Sequence, residues 1–239
     1  PGWSPMAIKS ALMTSAGDVL DGPNTNPLVI FRQGAGHVQP NSAADPGLVF
    51  DSNFTDWVGF LCGTQLSPAF CAANGVPVLD ASNLNVASIA VGDLSGTQTL
   101  TRRVTNVGTG AATYTASVAG LAGFTVEMSP ASLSLAKGET KSFTLKITRT
   151  SAAPNAYTGG QLTLSDGMHR VRLPMVVRPV ALAAPARVSG SYGVTFGYDG
   201  PFPPFNDSLV HHYVFTLYAT SLVRLPIDGA FTGAQVRQA

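Results

Sequence analysis

The chain has 239 residues, enough for one large domain or two small ones, each with its own core. Lys+Arg 14 against Asp+Glu 13 leaves a formal charge of +1 with no basic block and no acidic tail, which argues against a nucleic-acid or polyanion partner. Charged residues are only 11 % of the chain while Gly 25 and Pro 17 run high, a balance suited to turn-rich β structure, and the sequence shows neither a signal-peptide pattern nor an apolar run long enough for a membrane helix.

Ser4-Pro5 is a strong helix start, with serine as N-cap and proline at the first helical position. Ile8, Leu12 and Ser15, with Ala7 and Ala11, form one apolar or small face, so a helix over 4–15 is predicted. It ends near Gly17, and a loop runs from there to about Phe31 through Gly22-Pro23-Asn24-Thr25-Asn26-Pro27. Gly34-Ala35-Gly36 permits close backbone approach, 41–44 reads as a short helix, and Pro46-Gly47 turns into Leu48-Val49-Phe50.

Asp51-Ser52-Asn53 caps a helix carrying Trp57, Val58, Phe60 and Leu61, and Ser67-Pro68 starts another that Asn74-Gly75 ends. Cys62 and Cys71 then lie where they could staple that helical hairpin. A C-x8-C pair with no supporting His/Cys cluster makes a poor zinc site, which leaves a local disulfide or two buried thiols.

From about Asn83 the pattern turns to alternating Val, Thr, Ile and Leu broken by Gly, Asn, Pro or Asp. Strands are predicted over 86–91, 97–106, 112–119, 125–129, 132–136, 139–148, 157–165 and 169–177, the arithmetic of a small β-sandwich. Residues 179–185 read as a linker. Beyond it, 187–198 and 209–218 read as strands of a further, partial β-domain over 186–239, too few residues for an independent sandwich.

Pro1-Gly2-Trp3-Ser4-Pro5-Met6-Ala7-Ile8-Lys9-Ser10-Ala11-Leu12-Met13 resembles the helix that follows the nucleophile-bearing helix of the subtilisin-like serine proteases. Gly34-Ala35-Gly36-His37-Val38-Gln39-Pro40, followed by Asp45-Pro46-Gly47-Leu48-Val49-Phe50-Asp51, resembles the segment ending the catalytic domain of the large subtilases, with Phe50 where tyrosine is frequent. Arg102-Arg103-Val104-Thr105-Asn106-Val107-Gly108, with Tyr114, Phe124, Val126, Pro130, Leu133 and Phe143, resembles the fibronectin type III-like domain behind such catalytic domains. Val214–Tyr218 and Thr220–Leu225 loosely resemble the opening of a pre-peptidase C-terminal-type jelly roll.

The resemblance implies a mainly β chain. Residues 1–80 are the C-terminal remnant of an α/β subtilase catalytic domain plus a helical hairpin connector, and 81–178 a fibronectin type III-like β-sandwich, with the linker and the partial β-domain behind. It also implies a secreted bacterial endopeptidase as the parent, whose missing leader reflects truncation within a motif. The parent reaction is peptide-bond hydrolysis through a Ser-His-Asp triad and an oxyanion hole. Those residues lie upstream of Pro1 in the family pattern, so no catalytic residue is assigned here and the chain alone is expected to be inactive. No cofactor or metal is assigned; calcium is possible in the parent without ligands assignable in this chain. The expected partners are a protein or peptide substrate, reached through the catalytic domain, and that domain itself. In an exported protein, a Cys62–Cys71 disulfide is the better reading of the cysteine pair.

Other candidates carry bland readings. His37 invites a general-base role, but no serine-elbow signature surrounds any serine, so it reads as a packed, hydrogen-bonded structural histidine. Arg102-Arg103 reads as an edge-strand solvated face or a contact with the protease domain. His211-His212 in a strand would point to opposite faces and cannot chelate together. Asn53-Phe54-Thr55 and Asn206-Asp207-Ser208 are formal glycosylation sequons. The competing class is a non-catalytic β-sandwich module for adhesion or carbohydrate binding, which would have no reason to carry residues 1–51. Severed from its sheet, the helix over 4–15 is expected to be marginal, with residues 1–50 the least ordered part.

Overall fold

A computed structural model describes residues 2–181, which lie within one compact unit. The expected partial β-domain, His211-His212 and the Asn206 sequon lie outside the described residues.

Two sheets face each other across an apolar core. One is ordered β1-β3-β7-β5, from Leu48–Val49, Thr97–Asn106, Thr140–Arg149 and Phe124–Ser129. The other is β2-β9-β8-β4-β6, from Ile89–Leu94, Arg170–Pro179, Thr158–Ser165, Ala112–Gly120 and Ser132–Leu135. All pairings are antiparallel except β2 with β9. Alternation drives the packing: Leu100, Val104, Tyr114, Leu133, Phe143, Leu145, Ile147, Leu162, Leu164, Val171, Leu173 and Met175 all enter one cluster. The eight strands read from alternation are present within a few residues of their expected bounds. The first is displaced furthest, to Ile89–Leu94. The strand expected to end at 177 continues into the segment read as a linker: β9 reaches Pro179, and the Val180 N–H donates to the Leu94 carbonyl at 3.0 Å.

Five helices precede the sandwich. Helix α1 (Pro5–Thr14) is capped by Ser4, α2 (Pro27–Gln33) by Asn26, α4 (Phe54–Thr64) by an Asn53/Asp56 capping box and α5 (Pro68–Ala73) by Ser67. The short α3 (Pro40–Ala44) has no side-chain cap. Helix α2 falls within the expected loop; Asn26-Pro27 is an N-cap and N1 pair of the same kind as Ser4-Pro5, hidden in a run of turn formers. Cys62 and Cys71 are joined by a disulfide with Cα atoms 6.0 Å apart, linking α4 to α5.

The face that α1 buries is only part of the one periodicity selected. Ala7, Ser10, Ala11 and Thr14 are buried, while Ile8 remains 49 % exposed and Leu12 39 %. Small residues win because α1 lies close against β1 and β9, where a larger side chain would hold the helix off. The helix expected to lack a partner therefore has one within this chain.

Candidate functional site at the seam between helix α1 and the sandwich

Three motifs that are far apart in the sequence meet along one seam. Its spine is Gly47–Asp51. Leu48 and Val49 form β1, paired with Asn106 and Thr105 of β3, and Leu48 and Phe50 point into the sandwich core. The Gly47 carbonyl accepts from Val107 N–H at 2.9 Å. On the other side, Val49 packs with Ala7 and Ala11 of α1, and Trp3 and Val107 close over them. Trp3 of the first motif and Val107 of the third thus share one apolar cluster.

Polar side chains fasten the same seam. Ser4 Oγ caps Ala7 N–H at 3.0 Å and donates to Asp51 Oδ1 at 2.6 Å. Ser10, buried in α1, accepts the Phe50 N–H through Oγ at 2.8 Å. The Asp51 carbonyl accepts from Asn85 Nδ2 at 3.1 Å and from Arg103 at 3.2 Å, and Arg103 continues to Asp56 Oδ2 at 2.7 Å. Asn85 also pairs with the Arg103 backbone, accepting its N–H at 2.8 Å and donating to its carbonyl at 2.9 Å. Asn83 accepts the Thr101 N–H at 2.8 Å. Two asparagine side chains therefore stand in for a neighbouring strand where β1 is too short to cover β3, which removes an exposed sheet edge.

The Gly-Ala-Gly-His segment serves the other end of α1. Gly17 and His37 exchange both backbone hydrogen bonds at 2.8 Å, and Gly36 (φ +119°) sits where a Cβ would lie 2.1 Å from the Gly17 carbonyl oxygen. His37 itself is exposed and makes no described side-chain hydrogen bond, so the expected packed histidine is corrected. Its backbone carries the contact, leaving the ring in solvent.

The arginine pair is also corrected in part. Arg103 contacts Asp51 and Asp56. Arg102 is only 2 % exposed, not on a solvated edge: β3 lies between β1 and β7, and alternation turns residue 102 inward. Its guanidinium donates to the carbonyls of Thr101 and Ser88 at 3.0 Å each, Nε has no partner, and burial lowers its pKa to about 10. Asn106 is the corner post of the Val-Thr-Asn-Val-Gly motif: fully buried, it donates to the carbonyls of Gly110, Leu135 and Ala136 and accepts the Gly108 N–H.

Sequence reading missed a charged cluster beside the seam. Asp166, in the β8–β9 turn, accepts the N–H groups of Met168 and His169 and meets His169 Nδ1 at 2.8 Å. His169 Nε2 faces Asp45 Oδ1, at the end of α3, at 3.3 Å. Gly47 (φ +74°) presses flat on this cluster, since a Cβ there would lie 2.5 Å from the Tyr114 hydroxyl and 2.8 Å from the imidazole. The only local signal was Asp166-Gly167, a turn signature that says nothing of Asp45, 121 positions away. Nearby, Arg172 pairs with Asp18 and donates to the Ala16 carbonyl at 2.6 Å. Among the described residues, no serine or threonine hydroxyl hydrogen-bonds a histidine ring, and no cluster of three or more acidic, histidine or cysteine side chains could hold a metal ion.

Residues 83–177 match the fibronectin type-III domain family. A subtilisin-like protease of Arabidopsis thaliana, SBT2.5, is 38 % identical, the alignment covering 74 % of this chain and 24 % of the relative. A second from that plant, SBT5.3, is 40 % identical over 74 % of this chain and 25 % of its own. The chain belongs with the subtilisin-like proteases. This subtilase chain spans about a quarter of the length of the curated relatives it matches. Among solved structures, a FixG-related protein from Vibrio parahaemolyticus superposes over 35 % of this chain and 78 % of its own with a TM-score of 0.31 and 17 % identity, too slight a likeness to add to the fold. No described helix is long and apolar enough to cross a membrane.

Proposed function

We propose that this chain is the C-terminal, non-catalytic portion of a secreted subtilisin-like serine endopeptidase, and that it is inactive alone. The observation that carries this reading is the two-sided use of α1. One side is consumed by the sandwich through Ala7, Ser10, Ala11 and Thr14, and the other presents Ile8 and Leu12 outward. A surface helix built only for solvent would not place its largest apolar residues there. Helix α1 and the spine Gly47–Asp51 then form a rigid mount that carries the sandwich on one side and packs against the catalytic portion of the protease on the other.

On this reading the Ser-His-Asp triad and oxyanion hole belong to the catalytic portion, and protein or peptide substrates reach the enzyme there. The contribution of this chain is positional. The Cys62–Cys71 disulfide supports an oxidising, extracellular destination. The test is an assay of the purified 239-residue chain on a broad fluorogenic peptide set. No hydrolysis is expected. Turnover that a serine-directed acylating agent abolishes would overturn the proposal.

A further inference from the structure

We infer that His169 is a pH-sensitive clasp that fastens the end of α3, through Asp45, to the β8–β9 turn of the sandwich and lets it go when the ring loses its second proton. This goes beyond the protease reading and does not depend on it.

The geometry is that of a bridge. Asp166 is held by the N–H groups of Met168 and His169, its side chain is only 8 % exposed, and it meets His169 Nδ1 at 2.8 Å. The other ring nitrogen faces Asp45 at 3.3 Å. A ring whose two nitrogens both meet carboxylates is satisfied only when both carry protons, because a neutral imidazole has one donor and one acceptor nitrogen. On deprotonation one contact must become lone pair against carboxylate. The contact with Asp166 is the shorter and is locked within its own turn, while the Asp45 side chain is 63 % exposed and free to turn to water. Asp45 is therefore the partner that leaves.

The surroundings set the sign. Burial disfavours the charged ring, but the hydrogen bonds and charges of Asp166 and Asp45 outweigh it and raise His169 above its ordinary value. Burial also works against the Asp166 carboxylate, yet the His169 N–H, the imidazole and the Met168 N–H prevail and hold it at about 2. Tyr114, beneath the cluster on β4, stays protonated, since burial and the two carboxylates raise it. The neighbouring cleft also holds Arg170, Arg172 and Asp18, of which Arg172 and Asp18 pair with each other. A raised histidine contributes its stabilisation in full below its unfolded value, near 6.5, and loses it as the pH climbs through the folded value. The depressed Asp166 contributes in full above its unfolded value, near 3.9, and loses that contribution as the pH falls to about 2. The clasp is thus closed below the ordinary histidine value and opens as the pH climbs through the raised one. Because Asp45-Pro46-Gly47 leads directly into β1, the opening acts at the head of the seam.

The test is amide hydrogen exchange of the full chain between pH 6 and pH 9, corrected for intrinsic exchange, alongside the variants Asp45→Asn and His169→Gln. In the unsubstituted chain, protection over residues 41–47 should fall by about two- to fivefold across this range, the effect that a partly exposed ion pair supports, with β7 and β9 unchanged. Asp45→Asn should abolish that pH dependence and leave the rest of the chain protected as before. His169→Gln should do the same, and if it disturbs the β8–β9 turn, Asp45→Asn still decides. Flat protection in the unsubstituted chain, or an undiminished pH dependence in Asp45→Asn, would overturn the clasp.

Discussion

Inside the sandwich, Leu100, Val104, Leu145, Leu162, Leu173 and Met175 are wholly buried in one apolar cluster, and each was legible as an inward position of an alternating strand. Along the seam, Val49 and Phe50 are buried beside small and polar residues, Ala7, Ser10, Ala11, Thr14 and Asn85. Cohesion there comes from close approach and from side-chain hydrogen bonds such as Ser10 Oγ to Phe50 N–H and Asn85 to the Arg103 backbone. Large apolar side chains tolerate some repacking, whereas a hydrogen-bonded seam of small residues allows little displacement. Such a seam suits the mounting role proposed above.

The sharpest way to break the comparison is to attack both regions with single truncations. Leu145→Ala removes a fully buried side chain from the middle of β7 and should cost about 2–5 kcal/mol by the transfer and cavity terms together. Urea unfolding of the full chain reads it out as a lowered midpoint. Asn85→Ala should cost about 1–3 kcal/mol, because it leaves the Arg103 N–H, the Arg103 carbonyl and one contact of the Asp51 carbonyl without their partner. Its distinguishing signature is local: exchange should rise in residues 48–51 and 101–103 before it rises in β7 or β9. A loss of protection spread evenly over both sheets would mean that the seam is simply part of the core.

The same contrast explains what the sequence disclosed. Alternation in 97–106 and 140–149 reports burial directly, because successive side chains of a strand must face opposite sides. The sheet could therefore be read strand by strand. For α1 the rule told less, since a 3.6-residue period locates an apolar stripe but not which body covers each part of it. Ile8, Leu12, Ala7 and Ala11 all lie on the stripe, yet of these only the two alanines are buried in the contact. The motif at Asp45–Asp51 was recognisable as a family signature, but its physical task was not: the strand at Leu48–Val49 is two residues long, and its meaning lies in Asn106 and Thr105, more than fifty positions on. Side-chain bridges such as Asn85 to Arg103 and Asp45 to His169 leave no periodic trace at all.

The smallest expected effect sharpens the comparison most. If the outward face of α1 awaits the catalytic portion of the protease, trimming it should scarcely trouble this chain. Ile8→Ala and Leu12→Ala each remove partly exposed surface while installing the best helix former, so each should shift stability by less than about 1 kcal/mol. Enlarging the opposite face should do more harm. Ala11→Leu forces three further carbon atoms into a contact that Val49 and Trp3 already fill, and should cost about 1–3 kcal/mol. Thermal unfolding of the three variants, measured side by side, gives the order directly. An Ile8→Ala loss exceeding that of Ala11→Leu would place the working face of α1 where Ile8 lies, and would remove the reason to assign that face to the catalytic portion.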